Sequence, residues 1–170
     1  MNKKRDDPQG SFVPDYLLYL LAAASEAASA RFHDHVRSRG LRVPEWRVMA
    51  CLTDWDGSMV TELARYAMIE QSRLTKIIIQ MGERDLVTRR SDPKDGRRVR
   101  IFLTEQGRDL ATELVADAKA HELDLLKSFQ GNQGDEIKET LRALIHHLET
   151  DQTGFSGKSA ADSDGETPNP

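Results

Sequence analysis

Between Glu70 and Thr104 the spacing of apolar residues changes twice, and few folds accommodate that change. Leu74, Ile77, Ile78 and Met81 recur at steps of three, one and three, which gathers them on one face of a helix. Val87-Thr88-Arg89-Arg90 and Val99-Arg100-Ile101-Phe102-Leu103 are instead rich in β-branched and apolar residues. They flank Ser91-Asp92-Pro93-Lys94-Asp95-Gly96, whose residue types favour turns. Thr104-Glu105-Gln106-Gly107 then restores a helical period. A helix, a β-hairpin and a second helix are expected in direct succession.

The rest of the chain reads as helices. Pro14 suits a first helical turn, and Tyr16, Leu17, Leu20, Leu21, Ala24, Ala28, Phe32 and Val36 follow at helical spacing until Gly40. A second helix opens near Pro44 and ends at Asp56-Gly57. A short third one starts about Thr61, a plausible N-cap, and carries Leu63, Ala64 and Ala67. After the hairpin, Leu110, Leu114, Val115, Ala118, Leu123 and Leu126 mark a long helix. Gly131 and Gly134 bracket a break, and Ile137, Leu141, Leu144, Ile145 and Leu148 form a final amphipathic helix. The polar residues 1–11 read as a flexible N-terminus, and 151–170 as a disordered acidic tail.

The net charge of −4 suits a nucleic-acid binder only when it is divided along the chain. Residues 61–103 hold ten basic and six acidic side chains, net +4. DNA responds to such a local patch rather than to the total. The longest apolar stretch, Tyr16 to Ala24, is far short of the roughly 20 residues that span a bilayer. Lys3, Lys4 and Arg5 are followed by Asp6, Asp7 and Pro8, which is not a secretory pattern. With a single cysteine, Cys51, a cytoplasmic protein without membrane association is expected.

A short helix, a tight turn, a second helix with polar residues at its start and then a basic hairpin make a winged helix–turn–helix. The second helix fits the major groove, and the hairpin can reach phosphates or the neighbouring minor groove. At Leu63-Ala64, Ser72-Arg73-Leu74-Thr75-Lys76, Asp92-Pro93-Lys94-Asp95-Gly96-Arg97 and Leu103-Thr104-Glu105-Gln106-Gly107 the sequence resembles the MarR family of regulators, as does Pro44-Glu45-Trp46-Arg47-Val48. The resemblance covers roughly residues 15 to 150. Asp85 departs from it, because the family usually has glycine there.

The resemblance implies a mainly α-helical fold: a winged helix–turn–helix with a two-stranded β-hairpin wing and a helical dimerisation region. The DNA-binding domain would span 43–104, and the dimerisation region 12–42 and 105–150. It implies that Arg97 enters the minor groove with Asp95 holding its guanidinium. Gln71, Ser72, Arg73, Thr75 and Lys76 would share major-groove and phosphate contacts, and Arg89 and Arg98 would add wing contacts. It further implies a homodimer on a double-stranded, pseudo-palindromic operator, and repression relieved by a small anionic aromatic or acyl effector. Phe32, His33, Arg37, Trp46 and Met49 are the candidate effector lining.

Two other readings compete. Some members of the family sense peroxides through a cysteine, so Cys51 offers a redox-responsive alternative. Its neighbours Met49, Ala50 and Leu52 favour a buried structural thiol instead. His33, His35, His121, His146 and His147 sit at spacings that build no metal site, and no nucleophile–base constellation supports an enzyme. No cofactor is expected.

Overall fold

The computed structural model describes residues 11–155, with side chains described through residue 150. The expected flexible residues 1–10 and tail residues 156–170 lie outside the described residues. The chain divides into two compact units, Met1–Leu123 and Asp124–Pro170.

The first unit opens with α1 (Phe12–Asp15) and α2 (Leu17–Ser38). One helix was expected here, but Tyr16 is extended at φ −76°, ψ 119° and breaks it. The rings of Phe12 and Tyr16 stack across that break at 4.8 Å. Next come α3 (Val43–Asp54), β1 (Ser58–Met59), α4 (Val60–Tyr66), α5 (Gln71–Glu83), β2 (Val87–Ser91), β3 (Val99–Leu103) and α6 (Glu105–Leu126), whose last three residues belong to the second unit.

The hairpin of β2 and β3 is antiparallel, with Arg89 opposite Ile101 and Arg90 opposite Arg100. The sheet has a third strand that the residue pattern does not announce, β1, which pairs with β3 on the other side. Gly57 makes this possible. It adopts φ +81°, and a Cβ there would sit 2.7 Å from the Phe102 ring. Its N–H donates to the Ile101 carbonyl at 2.9 Å.

Thr61 is not the cap of α4. Its N-cap is Met59, two residues earlier, because the Glu62 carboxylate reaches back to accept the Met59 N–H at 3.0 Å.

The core collects the apolar faces of α2 to α6 and the sheet. Val36, Val48, Met49, Leu52, Leu63, Leu74, Met81, Ile101 and Leu114 are fully or almost fully buried. At the foot of the wing, Gly107 lies against Leu86. A Cβ on Gly107 would fall 1.9 Å from the Leu86 carbonyl oxygen, so only glycine permits α6 to approach this closely. The Thr104 hydroxyl donates to the Asp85 carbonyl at 2.5 Å and accepts the Gly107 N–H at 3.0 Å, which caps α6.

In the second unit α7 covers Gln133–Phe155. It therefore takes in Gly134, expected to bracket the break, and five residues that composition had assigned to the tail, of which Asp151, Gln152 and Thr153 are not strong helix breakers.

Candidate nucleic-acid interface

The first turn of α5 is built around Glu70. This N-cap carboxylate accepts the N–H groups of Ser72 at 2.9 Å and Arg73 at 3.0 Å, together with the Ser72 hydroxyl. The Ser72 hydroxyl first, and then those two amides, hold the Glu70 carboxyl below the usual carboxylate range. Leu74, Ile77, Ile78 and Met81 are buried, which turns the opposite side of the helix outward. Gln71, Ser72, Arg73, Thr75 and Lys76 are all exposed. The Thr75 hydroxyl donates back to the Gln71 carbonyl at 3.0 Å, so it faces a ligand as an acceptor.

The turn before α5 is strained at Met68, and the turn after it at Asp85; both adopt φ +53°. Asp85 is the position where glycine was expected, and aspartate takes the same left-handed conformation there.

The wing tip is organised by Asp92. Its carboxylate is nearly buried and accepts the Lys94 N–H at 2.7 Å, the Asp95 N–H at 3.2 Å and Arg100 Nε at 2.5 Å. The Lys94 amide and the Arg100 guanidinium keep the Asp92 carboxyl below its ordinary value.

Asp95 does not hold the Arg97 guanidinium, as the resemblance had implied. It accepts the Arg97 backbone N–H at 3.1 Å, and its carboxylate pairs with Arg98 Nε at 3.2 Å. Turn geometry explains the exchange, since the backbone closes on Asp95 through Arg98 N donating to the Asp95 carbonyl at 2.9 Å.

The six basic side chains of the wing thus divide by geometry. Arg100 is tied to Asp92 and to the Gly57 carbonyl at 2.8 Å, and Arg98 to Asp95, with Met59 Sδ at 3.9 Å. The Arg90 guanidinium lies 4.7 Å over the Phe102 ring. Arg89, Lys94 and Arg97 are exposed and form no ion pair among the described residues. Arg89 shares the sheet face of Ile101, whereas Arg90 shares the opposite face with Arg100. Of the wing residues selected from sequence, Arg89 and Arg97 keep free guanidiniums and Arg98 does not.

Three acidic residues that sequence reasoning missed hold this interface in place. Glu45, 1% exposed, accepts Arg42 N at 2.7 Å and an Arg42 guanidinium nitrogen at 2.8 Å, and Arg84 approaches it at 3.3 Å. Burial pushes the Glu45 carboxyl up, but the Arg42 contacts and Arg84 outweigh it, and the net displacement is downward. Arg84 follows the last turn of α5 and also donates to the Gly40 carbonyl at 2.8 Å, which fastens the end of that helix to the junction between α2 and α3. Asp56 accepts the Leu103 N–H at 2.9 Å and pairs with Arg108 at 2.6 Å, which ties β3 to α6. Asp92 is the third. The spacing Arg42-x-x-Glu45 was the only available signal for the first of these.

The five candidate effector residues do not share one cavity. Phe32 and Met49 belong to the core, and the Phe32 ring meets Trp46 edge-on at 5.3 Å. Trp46 lines a groove of about 330 Å³ between α3 and α6, with Ala50, Val115 and Lys119. His33 and Arg37 line a separate cleft of about 400 Å³, with Arg47, Ser25 and Ser29. Burial, then Arg37 and Arg47, push the His33 imidazole below its ordinary value. Cys51 is half-buried, and burial and then Asp54 raise its thiol. No group of three metal-ligating side chains occurs among the described residues, and none of their helices is long and apolar enough to cross a membrane.

Comparison with known proteins places this geometry. The model of the MarR family matches residues 41–99. The MarR family transcriptional regulator SPO1453 from Silicibacter pomeroyi DSS-3 is 55% identical, with a TM-score of 0.75 over 81% of this chain and 98% of that one. The HTH-type transcriptional repressor IacR of Pseudomonas putida is 26% identical over 136 residues, 80% of this chain and 81% of its own. The Mycobacterium tuberculosis MarR family protein Rv2887, solved in complex with salicylic acid, is 26% identical, with a TM-score of 0.61 over 75% of this chain and 95% of that one.

Proposed function

This chain belongs to the MarR family of DNA-binding transcriptional regulators, which are not enzymes, and from that premise we propose that it is a homodimeric repressor displaced from its operator by a small anionic ligand. One observation carries the DNA reading. The exposed face of α5 stands beside a wing on which Arg89, Lys94 and Arg97 have no ion-pair partner among the described residues. Unneutralised cations on a hairpin tip gain by replacing the counterions of phosphates. Arg97 enters the minor groove, while Ser72, Arg73, Thr75 and Lys76 face base edges and phosphates in the major groove.

The dimer reading rests on apolar side chains left in water. Leu17, Leu18 and Leu20 on α2 are exposed, and so are Ile137, Leu141, Ile145 and Leu148 on α7. Surfaces of this kind are covered by a partner in a stable protein, and a two-fold dimer reads a pseudo-palindromic operator.

The ligand reading rests on the cleft of His33 and Arg47, in which Asp34 pairs with Arg37 while Arg47 forms no ion pair among the described residues, and on the mainly apolar groove where Lys119 stands with Asp54 and Glu122. Rv2887 in complex with salicylic acid supports an aromatic carboxylate as the ligand class. Peroxide sensing through Cys51 is disfavoured, because a sensing thiol needs a lowered pKa and this one is raised.

The test is a salt-titrated anisotropy series on operator duplexes. Arg97→Ala weakens binding by about 1–3 kcal/mol and makes the salt slope shallower by about one unit, whatever the sequence. Parental binding by that variant at every salt concentration refutes the role of the wing.

A further inference from the structure

Ile79 is out of place for a residue that only stabilises a fold. The other apolar residues in the body of α5, Leu74, Ile77, Ile78 and Met81, are all buried, whereas Ile79 is 42% exposed. At about 100° per residue, Ile79 lies roughly 150° round the helix from the centre of that buried face. It lies only about 20° from Ser72 and about 60° from Lys76 on the same reckoning. It therefore stands within the exposed polar stripe and not at the edge of the core. A β-branched residue on the water side of a helix loses χ1 freedom, and this one leaves 42% of its surface in water, so the fold gains little from it.

Its neighbours leave it the outward position. The Gln80 amide oxygen accepts a hydrogen bond from the Arg42 guanidinium at 2.5 Å, which holds that side chain to one flank. The Thr75 hydroxyl, one turn earlier, is committed to the Gln71 carbonyl. Ser72 and Ile79 are seven residues apart, about 10.5 Å along the helix axis. At 3.4 Å per step that is about three base pairs. The major-groove edges of those pairs offer donors, acceptors and a single apolar group, the C5 methyl of thymine.

We propose that Ile79 is a specificity-determining residue of α5 that reads a thymine methyl in each half-site. The inference rests on the reading that α5 enters the major groove. It adds the chemical identity of one base that the polar residues do not select. Contact between the isoleucine side chain and the methyl removes both from water and disfavours cytosine and guanine at that pair.

Uracil differs from thymine only in lacking the methyl, which makes the test specific. The full chain is used to select duplexes from random-sequence DNA, and each thymine of the tightest duplex is replaced singly by deoxyuridine. Binding of the parent protein and of Ile79→Ala is then measured by anisotropy.

One position per half-site should lose about threefold to fivefold in affinity for the parent, the transfer value of one methyl group. Ile79→Ala should lose a similar factor on the thymine duplex and be indifferent to uracil there. Ile79→Val should retain the preference. Because Ile79 is only partly covered and alanine is the better helix former, the melting temperature of Ile79→Ala should stay within a few degrees of the parent and exclude misfolding as the cause. Uracil tolerated at every position by the parent, or uracil sensitivity kept by Ile79→Ala, overturns the proposal while leaving the groove reading intact. A selection that enriches no sequence overturns the groove reading and this proposal with it.

Discussion

Two glycines in similar settings should respond to alanine with opposite signs. Gly82 lies near the end of α5 and Gly107 in the first turn of α6. Propensity alone favours alanine at both, by roughly 0.5–1 kcal/mol. At Gly82 a Cβ would meet nothing closer than the Val87 carbonyl oxygen at 3.7 Å, an ordinary contact. Gly82→Ala should therefore stabilise the fold by that amount.

At Gly107 the same atom would lie 1.9 Å from Leu86 O, 2.9 Å from its carbonyl carbon and 3.2 Å from its Cα. All three are backbone atoms. Leu86 is pinned by its N–H donating to Met81 at 3.0 Å and its carbonyl accepting from Thr104 at 3.3 Å. Normal separation requires one element to move by more than about 1 Å, well up the repulsive wall. Overpacking of this kind costs about 3 kcal/mol, at the upper end of the usual range. Thermal melts followed by circular dichroism should show Gly82→Ala raised by roughly 1–4 °C and Gly107→Ala lowered by roughly 6–12 °C. A Gly107→Ala protein that melts at or above the parent temperature refutes the close approach of α6 to the foot of the wing.

Three further outcomes are expected. Met68, 77% exposed at φ +53°, buries little, so Met68→Gly should relieve strain and stabilise by up to about 1 kcal/mol in denaturant titration; destabilisation would show that the side chain is needed. Cys51→Ser should bind operator and respond to ligand as the parent does, losing at most about 1 kcal/mol of stability; peroxide-induced release that disappears in the variant would reinstate the redox reading. Asp92 has a depressed folded-state pKa, so its contribution to wing order is complete above its unfolded value of about 3.9 and is lost as pH falls through the lower folded value. Amide shifts of Lys94 and Asp95 should stay constant from pH 8 to 5 and move only below about 4, and a transition near neutrality would contradict the assignment.

Periodicity made α5, the hairpin and the long helices legible, because their faces are set by burial and burial leaves a repeat in the residues. The third strand was not legible. Ser58-Met59 is too short to alternate, and it pairs only because Gly57 turns the chain toward Ile101. The free cations of the wing were visible as arginines, but their division was not. Whether Asp95 takes Arg97 or Arg98 depends on where the backbone closes, not on their order in the chain. The buried Glu45 escaped for a similar reason, since Arg84 lies 39 residues away from it. The effector residues were chosen for their chemistry, and two of them, Phe32 and Met49, turned out to be needed for packing.

Glu70 bears on how the protein searches a genome. A helix N-terminus is a ready seat for any phosphate, whatever the sequence around it. At the head of α5 that seat is already taken, and its occupant carries a negative charge. On the proposed groove reading, a phosphate would meet repulsion there rather than a grip. Sequence-blind, easily screened attraction would then fall to the exposed cations around that point, Arg73 and Lys76 farther along α5 and Arg89, Lys94 and Arg97 on the wing. The tip of α5 would add nothing to the hold on a random duplex, and the acid there would make the first contact of the reading helix depend on base edges.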